Sequence, residues 1–178
     1  MDRNNTGLLI VDIQGKLARL VDNSETLIAN CGKLIEGAKA LDLPIVWLEQ
    51  NPDKLGQTVP ELAELLTDHR ALTKFTFDGC LEPAVLDAVR EAKVENWLVC
   101  GIETHICVYQ TSTHLQQLGF QVQLVQDCVS SRLAENRQLG IQRMASQGIH
   151  ITGLEMCLYE LVKDCRLPEF KHILKLIK

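Results

Sequence analysis

Short uninterrupted apolar runs alternate along the chain with longer stretches in which apolar residues recur every three or four positions. Leu8-Leu9-Ile10-Val11, closed by Asp12, reads as a strand buried on both faces. Behind Ser24, which is placed to cap a helix, Leu27, Ile28, Cys31, Leu34, Ile35 and Ala38 repeat at helical spacing. Pro44 opens a second strand, Ile45-Val46-Trp47-Leu48; residues 51–60, with two prolines and a glycine, read as a loop, and a short helix runs from about Leu62 to Leu66. Ala71-Leu72-Thr73 is a brief third strand. Pro83 suits the first turn of a helix carrying Val85, Leu86 and Val89, and Trp97-Leu98-Val99-Cys100 is the fourth strand. A helix capped by Thr104 bears Val108, Thr111, Leu115 and Leu118 and stops at Gly119. Phe120 to Val125 is a fifth strand. Leu133 to Gln147 is a helix with Ile141, Met144 and Ala145 inward, stopped by Gly148. Ile149 to Ile151 is a sixth strand, and helices follow near 154–163 and 168–177.

This alternation predicts an α/β fold of three layers, α/β/α, with a six-stranded parallel sheet in the Rossmann-like order 3-2-1-4-5-6. Such sheets bind ligands beyond the carboxyl ends of the strands, where the order reverses, here between strands 1 and 4. Reactive groups are therefore expected just after strand 1, just after strand 4 and on a neighbouring strand end.

Composition narrows the class. The 178 residues suit one domain spanning 1–178, and 46% hydrophobic residues with only 4% aromatics predict an aliphatic core. The net charge of -5 shows no basic excess of the kind that binds nucleic acid, and the C-terminal Lys171, His172, Lys175 and Lys178 read as a solvated helix face. No apolar run approaches the roughly 18 residues of a membrane span, and MDRNNTG leads almost directly into a strand without a leader, so a cytoplasmic protein is expected. The seven cysteines are odd in number and hold no C-x-x-C pair, which points to free thiols rather than a disulfide framework or structural zinc.

Three residues stand at the predicted strand ends. Asp12, in VDIQGKL, occupies the place where a dinucleotide-binding fold would carry G-x-G-x-x-G; the missing glycines argue against a nicotinamide or flavin cofactor. A strand-end carboxylate often does no more than cap a turn. Cys107, in GIETHICV, falls in the first turn of a helix capped by Thr104, where free amides and the helix dipole favour a thiolate and can bring a thiol pKa down to about 3.5–7.5. A buried structural cysteine is the bland alternative. Lys74 closes the third strand in LTKFTFDG; alone it is a surface charge, but beside a thiol and a carboxylate it completes a base, a cation and a nucleophile. Of the other thiols, Cys31, Cys100, Cys157 and Cys165 read as structural, while Cys80, near the site, and Cys128, after strand 5, are expected to be more accessible. The five histidines do not cluster and form no D-x-H or H-x-H, so no metal is expected; His105 reads as a helix-surface residue.

Asp12, Lys74 and Cys107 in G-I-E-T-x-x-C-V, together with EQNPDKLGQTVPEL (Glu49 to Leu62) and VQDCVSSR (Val125 to Arg132), resemble the isochorismatase-like cysteine hydrolase superfamily, and its isochorismatase domain-containing subgroup in particular. The resemblance runs from about Thr6 to the C-terminus. It implies an isochorismatase-like hydrolase fold and an Asp–Lys–Cys triad without a cofactor: Asp12 as general base on the Cys107 thiol, Lys74 holding the charges. It also implies a cis peptide at Ile102–Glu103, with the amides of Glu103 and Cys107 as an oxyanion hole, a thioester intermediate, and water activated by Asp12 to release the acid. A small-molecule substrate and a homo-oligomer are implied as well.

Nicotinamidases of this superfamily bind a metal through a D-x-H loop after strand 2. Here Glu49-Gln50-Asn51-Pro52 stands there, so nicotinamide is disfavoured and no metal is implied. Isochorismatases proper cleave a vinyl ether; a small amide or related carbonyl compound is the expected substrate here. Gln14, Gln50, Phe77 and Ile102 are placed to line the pocket, Glu103 either lines it or supplies only its amide, and Asp127, Ser130 and Arg132 fix the loop after strand 5. The alternative is a non-catalytic member acting as a binding or scaffold protein.

Overall fold

The structure, a computed structural model, describes residues 1–178. Its elements in chain order are β1 (Thr6–Val11), α1 (Leu17–Leu20), α2 (Ser24–Ala40), β2 (Ile45–Gln50), α3 (Pro52–Leu55), α4 (Pro60–Ala63), β3 (Ala71–Lys74), α5 (Pro83–Glu91), β4 (Asn96–Ile102), α6 (Tyr109–Gln117), β5 (Gln121–Ser130), α7 (Ala134–Ser146), β6 (His150–Thr152), α8 (Leu154–Val162) and α9 (Pro168–Ile177). A π-helical turn, Thr104–Val108, leads from β4 towards α6. The six strands form one parallel sheet in the order β3-β2-β1-β4-β5-β6.

The apolar runs are strands because both faces of the sheet are covered. Along β1, Leu8 and Ile10 join a core with α2, α8 and α9, while Leu9 and Val11 join a second core with α5, α6 and α7. Alternate side chains of one strand thus feed opposite layers, and a polar residue on either face would be desolvated. No helix is long and apolar enough to cross a membrane.

Several local expectations are corrected. Ser24 does not cap α2; Asn23 holds the cap position at φ 50°, and the Ser24 hydroxyl donates to the Ala18 carbonyl at 2.7 Å. The expected loop 51–60 contains α3 and opens α4, because prolines at their first positions start helical turns. The segment after β1 pairs back through a Gln14–Thr58 bridge and carries α1. β5 runs on to Ser130, so Cys128 lies inside it, fully buried; Cys80 is buried too, and Cys165 is the exposed thiol. Ala145 faces solvent; Gly140, with Ile141 and Met144, supplies the inner face of α7. β6 sits one residue later than expected.

Six buried thiols make the fold sensitive to alkali. Cys31 and Cys100 are raised well above the usual thiol value of 9.0, Cys80, Cys107 and Cys157 are pushed up to about 12, and Cys128 to about 11, with burial a raising influence throughout and the largest for the last four. A folded chain that keeps these protons, against an unfolded chain that releases them above about pH 9, loses stability as pH rises through that window, by about 1.4 kcal/mol per pH unit for each independent thiol. Stability measured by denaturant titration is expected to be level from pH 7 to 8.5 and to fall steeply by pH 10.5; a level profile to pH 10.5 would contradict it.

Candidate active site

Asp12 sits where β1 ends, and it leaves the strand in a left-handed conformation, φ 55°. Aspartate is among the few non-glycine residues that tolerate this region. The turn is held by the Asp12 amide donating to the Leu48 carbonyl at 3.2 Å and the Gln14 amide donating back to the Asp12 carbonyl at 2.9 Å. The carboxylate is thereby brought against the end of β3: Asp12 Oδ2 lies 2.7 Å from Lys74 Nζ. Lys74 is buried completely, and its ammonium also donates to Gln50 Oε1 at 2.6 Å and to the Thr76 carbonyl at 3.2 Å. Two hydrogen bonds and the ion pair with Asp12 compensate the ammonium, which is what allows a full charge inside the protein. Neither Asp12 carboxylate oxygen accepts a well-aligned hydrogen bond, so the carboxylate is held by charge.

Two glutamines fix these charges. The Gln14 side chain accepts from the Gln50 amide at 2.7 Å and donates to the Gln50 and Gly56 carbonyls at 2.9 and 2.6 Å. Gln50 Nε2 donates to the Phe75 carbonyl at 2.8 Å, so one side chain ties the residue after Lys74 as well as Lys74 itself. Glu49 contributes from below. Its buried carboxylate accepts from the Thr58 amide and hydroxyl at 2.6 and 2.8 Å, and the Trp47 indole donates to that hydroxyl at 2.8 Å. A glutamate near the end of an otherwise apolar strand, IVWLEQ, was the available signal for this anchor.

Cys107 approaches from β4. Gly101 takes φ 129°, and a Cβ there would lie 2.0 Å from the Val11 carbonyl oxygen, so only glycine lets β4 run this close to β1 before the turn. The Ile102–Glu103 peptide is cis. The Glu103 amide donates to no acceptor in the protein, while the Glu103 carbonyl accepts from the amides of Ile106 and Val108 at 3.0 and 3.3 Å. Thr104 is not a cap: it is fully buried, its hydroxyl has no partner, and the turn it begins is π-helical.

The thiol is correspondingly not a ready thiolate. Burial, then the charge of Asp12, push Cys107 up to about 12 against the opposing pull of Lys74. Burial raises Asp12 above its usual value of 3.8, with Lys74 opposing. At 8% exposure, desolvation of the sulfur outweighs what the amide ends of the turn offer, so the proton rests on sulfur beside a carboxylate that can take it.

Asp12, Gln14, Gln50, Phe77, Ile102, Glu103 and Cys107 all meet at one cavity of about 90 Å3, completed by Leu17, Leu55 and Ile106. The last three lie on α1, α3 and the π-helical turn, segments whose polarity has no period to betray them. Lys74 stands behind Asp12 and does not line it. Glu103 is among the residues lining the cavity, and its Oε1 accepts from the Arg132 amide and Nε at 3.1 and 3.0 Å. Asp127 accepts from the Leu154 amide at 2.8 Å, at the start of α8, and the Ser130 hydroxyl donates to the Asp22 carbonyl at 2.6 Å. His105 is half-buried against the Ser131 hydroxyl at 3.0 Å rather than on the surface. One group of metal-ligating types, Asp78, Cys80 and His114, gathers donor atoms within 4.8 Å of one another. Its carboxylate is already engaged by His114 Nδ1 at 2.7 Å and the Cys80 amide at 2.9 Å, which pins the turn after Phe77 to α6.

The Isochorismatase domain family model matches residues 6–156. The chain belongs to the isochorismatase family. The secreted isochorismatase effector Isc1 of Phytophthora sojae (strain P6497) is 34% identical over 177 residues, covering 96% of this chain and 83% of the relative. Isochorismatase domain-containing protein 2 of Danio rerio is 33% identical over 171 residues, covering 96% and 85%. Among solved structures, the MAR1 ribonuclease of Caenorhabditis elegans superimposes with a TM-score of 0.93 at 34% identity, covering 99% of this chain and 91% of that one. Like its family, this isochorismatase-family chain is a hydrolase.

Proposed function

We propose that this isochorismatase-family hydrolase is a cysteine hydrolase that cleaves a small amide or related carbonyl compound through Cys107, Asp12 and Lys74. The observation that carries this reading is the small cavity lined by both Cys107 and Asp12, where the thiol meets a buried carboxylate whose other close neighbour is Lys74. In the first step Cys107 Sγ bonds to the substrate carbonyl carbon as the thiol proton passes to Asp12. Lys74 keeps the carboxylate oriented and offsets the charge that builds on sulfur. The carbonyl oxygen becomes an oxyanion, for which the unengaged Glu103 amide and the Cys107 amide are the donors. The C–N bond breaks, the amine leaves with the proton that Asp12 held, and an acyl thioester remains. Water then gives a proton to Asp12 and its oxygen to the acyl carbon; the acid leaves and the thiol recovers its proton. The net change is amide plus water to acid plus amine.

A general base, not a preformed thiolate, suits a thiol pushed up to about 12. A cavity of about 90 Å3 bounds the acyl group, since a water molecule's share of liquid is about 30 Å3 and drug-sized pockets begin near 300 Å3. The test is mass-spectrometric trapping: exposure to a panel of small amides and esters, quenched in acid, is expected to leave an acyl adduct on Cys107. Adducts spread over Cys165 and the buried thiols, or absent from Cys107 while substrate is consumed, would overturn the mechanism. A purely binding role draws no support from a buried charge trio, which costs desolvation and returns nothing to a scaffold.

A further inference from the structure

We infer that the pocket selects uncharged substrates bearing N–H donors and excludes carboxylates and other anions, with Glu103 as the residue that sets this preference. The inference rests on the cysteine-hydrolase reading of the same site and adds a substrate class to it. Of the ten residues lining the cavity, the two charged ones are both acidic, Asp12 and Glu103, and none is lysine, arginine or histidine. Each carboxylate has a counter-cation, but neither cation lines the cavity. Lys74 is completely buried, ion-paired with Asp12 and hydrogen-bonded to Gln50 and Thr76, and does not line the cavity. Arg132 grips Glu103 Oε1 from outside, with 59% of its own side chain in solvent. Lys16 and Lys54 neighbour the lining residues Leu17 and Leu55 in sequence, yet both are exposed and neither lines the cavity.

The neutral polar groups are equally committed. The Gln14 side chain is spent on the Gln50 backbone and the Gly56 carbonyl, and that of Gln50 on the Phe75 carbonyl and Lys74, leaving little to offer a ligand. What remains for a substrate is the oxyanion donor pair and one uncommitted acceptor, the second oxygen of Glu103, since both Asp12 oxygens are closed off behind the thiol. A primary amide satisfies both, placing its carbonyl oxygen on the amides and an N–H group on Glu103. A carboxylate or phosphate placed there would lie among two acidic residues in a largely apolar cavity lined by no cation, an unfavourable like-charge contact.

A pair of reagents of equal shape and opposite charge state tests this without knowing the substrate. Iodoacetamide and iodoacetate both alkylate sulfur: the S–C bond forms, iodide leaves, and the thiol proton passes to Asp12. The exposed Cys165 is an internal reference in the same molecule. Labelling rates at each cysteine, read by peptide mass spectrometry at pH 7.5, are expected to give an iodoacetamide-to-iodoacetate ratio at least about tenfold larger at Cys107 than at Cys165. In Glu103→Gln the Cys107 ratio is expected to fall toward the Cys165 ratio. Equal ratios at the two cysteines of the unaltered protein overturn the charge selection while leaving the nucleophile intact. A raised ratio that Glu103→Gln does not lower overturns the role of Glu103. Failure of both reagents to reach Cys107 overturns the cysteine-hydrolase reading and this inference with it.

Discussion

Cys107→Ala is expected to lower kcat/KM on any amide identified by adduct trapping by at least about 10^3-fold, with its folding changed by about 1 kcal/mol at most. The alanine keeps the backbone of the turn, so the amides of Glu103 and Cys107 remain and account for whatever rate survives. Asp12→Asn is expected to be comparably inactive, and the double variant no worse than the worse single one, because base and nucleophile act as a unit. Wild-type kcat/KM is expected to fall as pH drops through the Asp12 pKa, which burial lifts above 3.8. Steady-state assays over pH 4.5–8 check both points. Retained turnover in Cys107→Ala would remove the thiol from the mechanism altogether.

The largest stability effect is expected from Lys74→Met. Asp12 and Lys74 are 3% and 0% exposed, so the methionine fills the space of the lysine stem but leaves a carboxylate unpaired. Breaking a buried pair in this way costs about 3–5 kcal/mol, a large share of a domain's stability. The sign with pH follows from the carboxyl. Without Lys74 its pKa rises further, the folded protein binds the proton more tightly than the unfolded chain, and stability recovers as pH falls through that raised pKa. Denaturant titrations at pH 8 and pH 5.5 are expected to show the larger loss at pH 8. Asp12→Asn combined with Lys74→Met is expected to regain most of it, since no charge is then stranded. A single variant as stable as wild type at pH 8 would mean that the pair is not held as described.

The same pair explains what was legible in advance. Asp12, Lys74 and Cys107 were found because each closes or follows a strand, and the parallel order of the sheet puts those ends side by side. Gln14, Gln50, Phe77 and Ile102 followed for the same reason, being close in sequence to those ends. Leu17, Leu55 and Ile106 were missed because their short segments carry no periodic pattern, and they are placed by pairing between distant loops, such as Gln14 with Thr58. The thiol was misjudged through Thr104. A threonine before a helix reads as a cap, but the chain enters a π-helical turn with that hydroxyl buried and unpartnered, and the sulfur is desolvated rather than bared to free amides.

The sequence by itself determined the alternation of strands and helices, the parallel sheet and its order, and the three residues at its carboxyl edge, because apolar periodicity is a local property that burial on two faces enforces. Tertiary structure alone decided the state of those residues. Whether Lys74 offers its charge to a ligand depends on Gln50 and Thr76 having taken its other two N–H groups. Whether Cys107 is a thiolate depends on how much water reaches it, and how the Glu103 side chain is held depends on Arg132, 29 residues away in the chain. Charge inside a protein answers to everything packed around it, and that packing is not written in any one stretch of the chain.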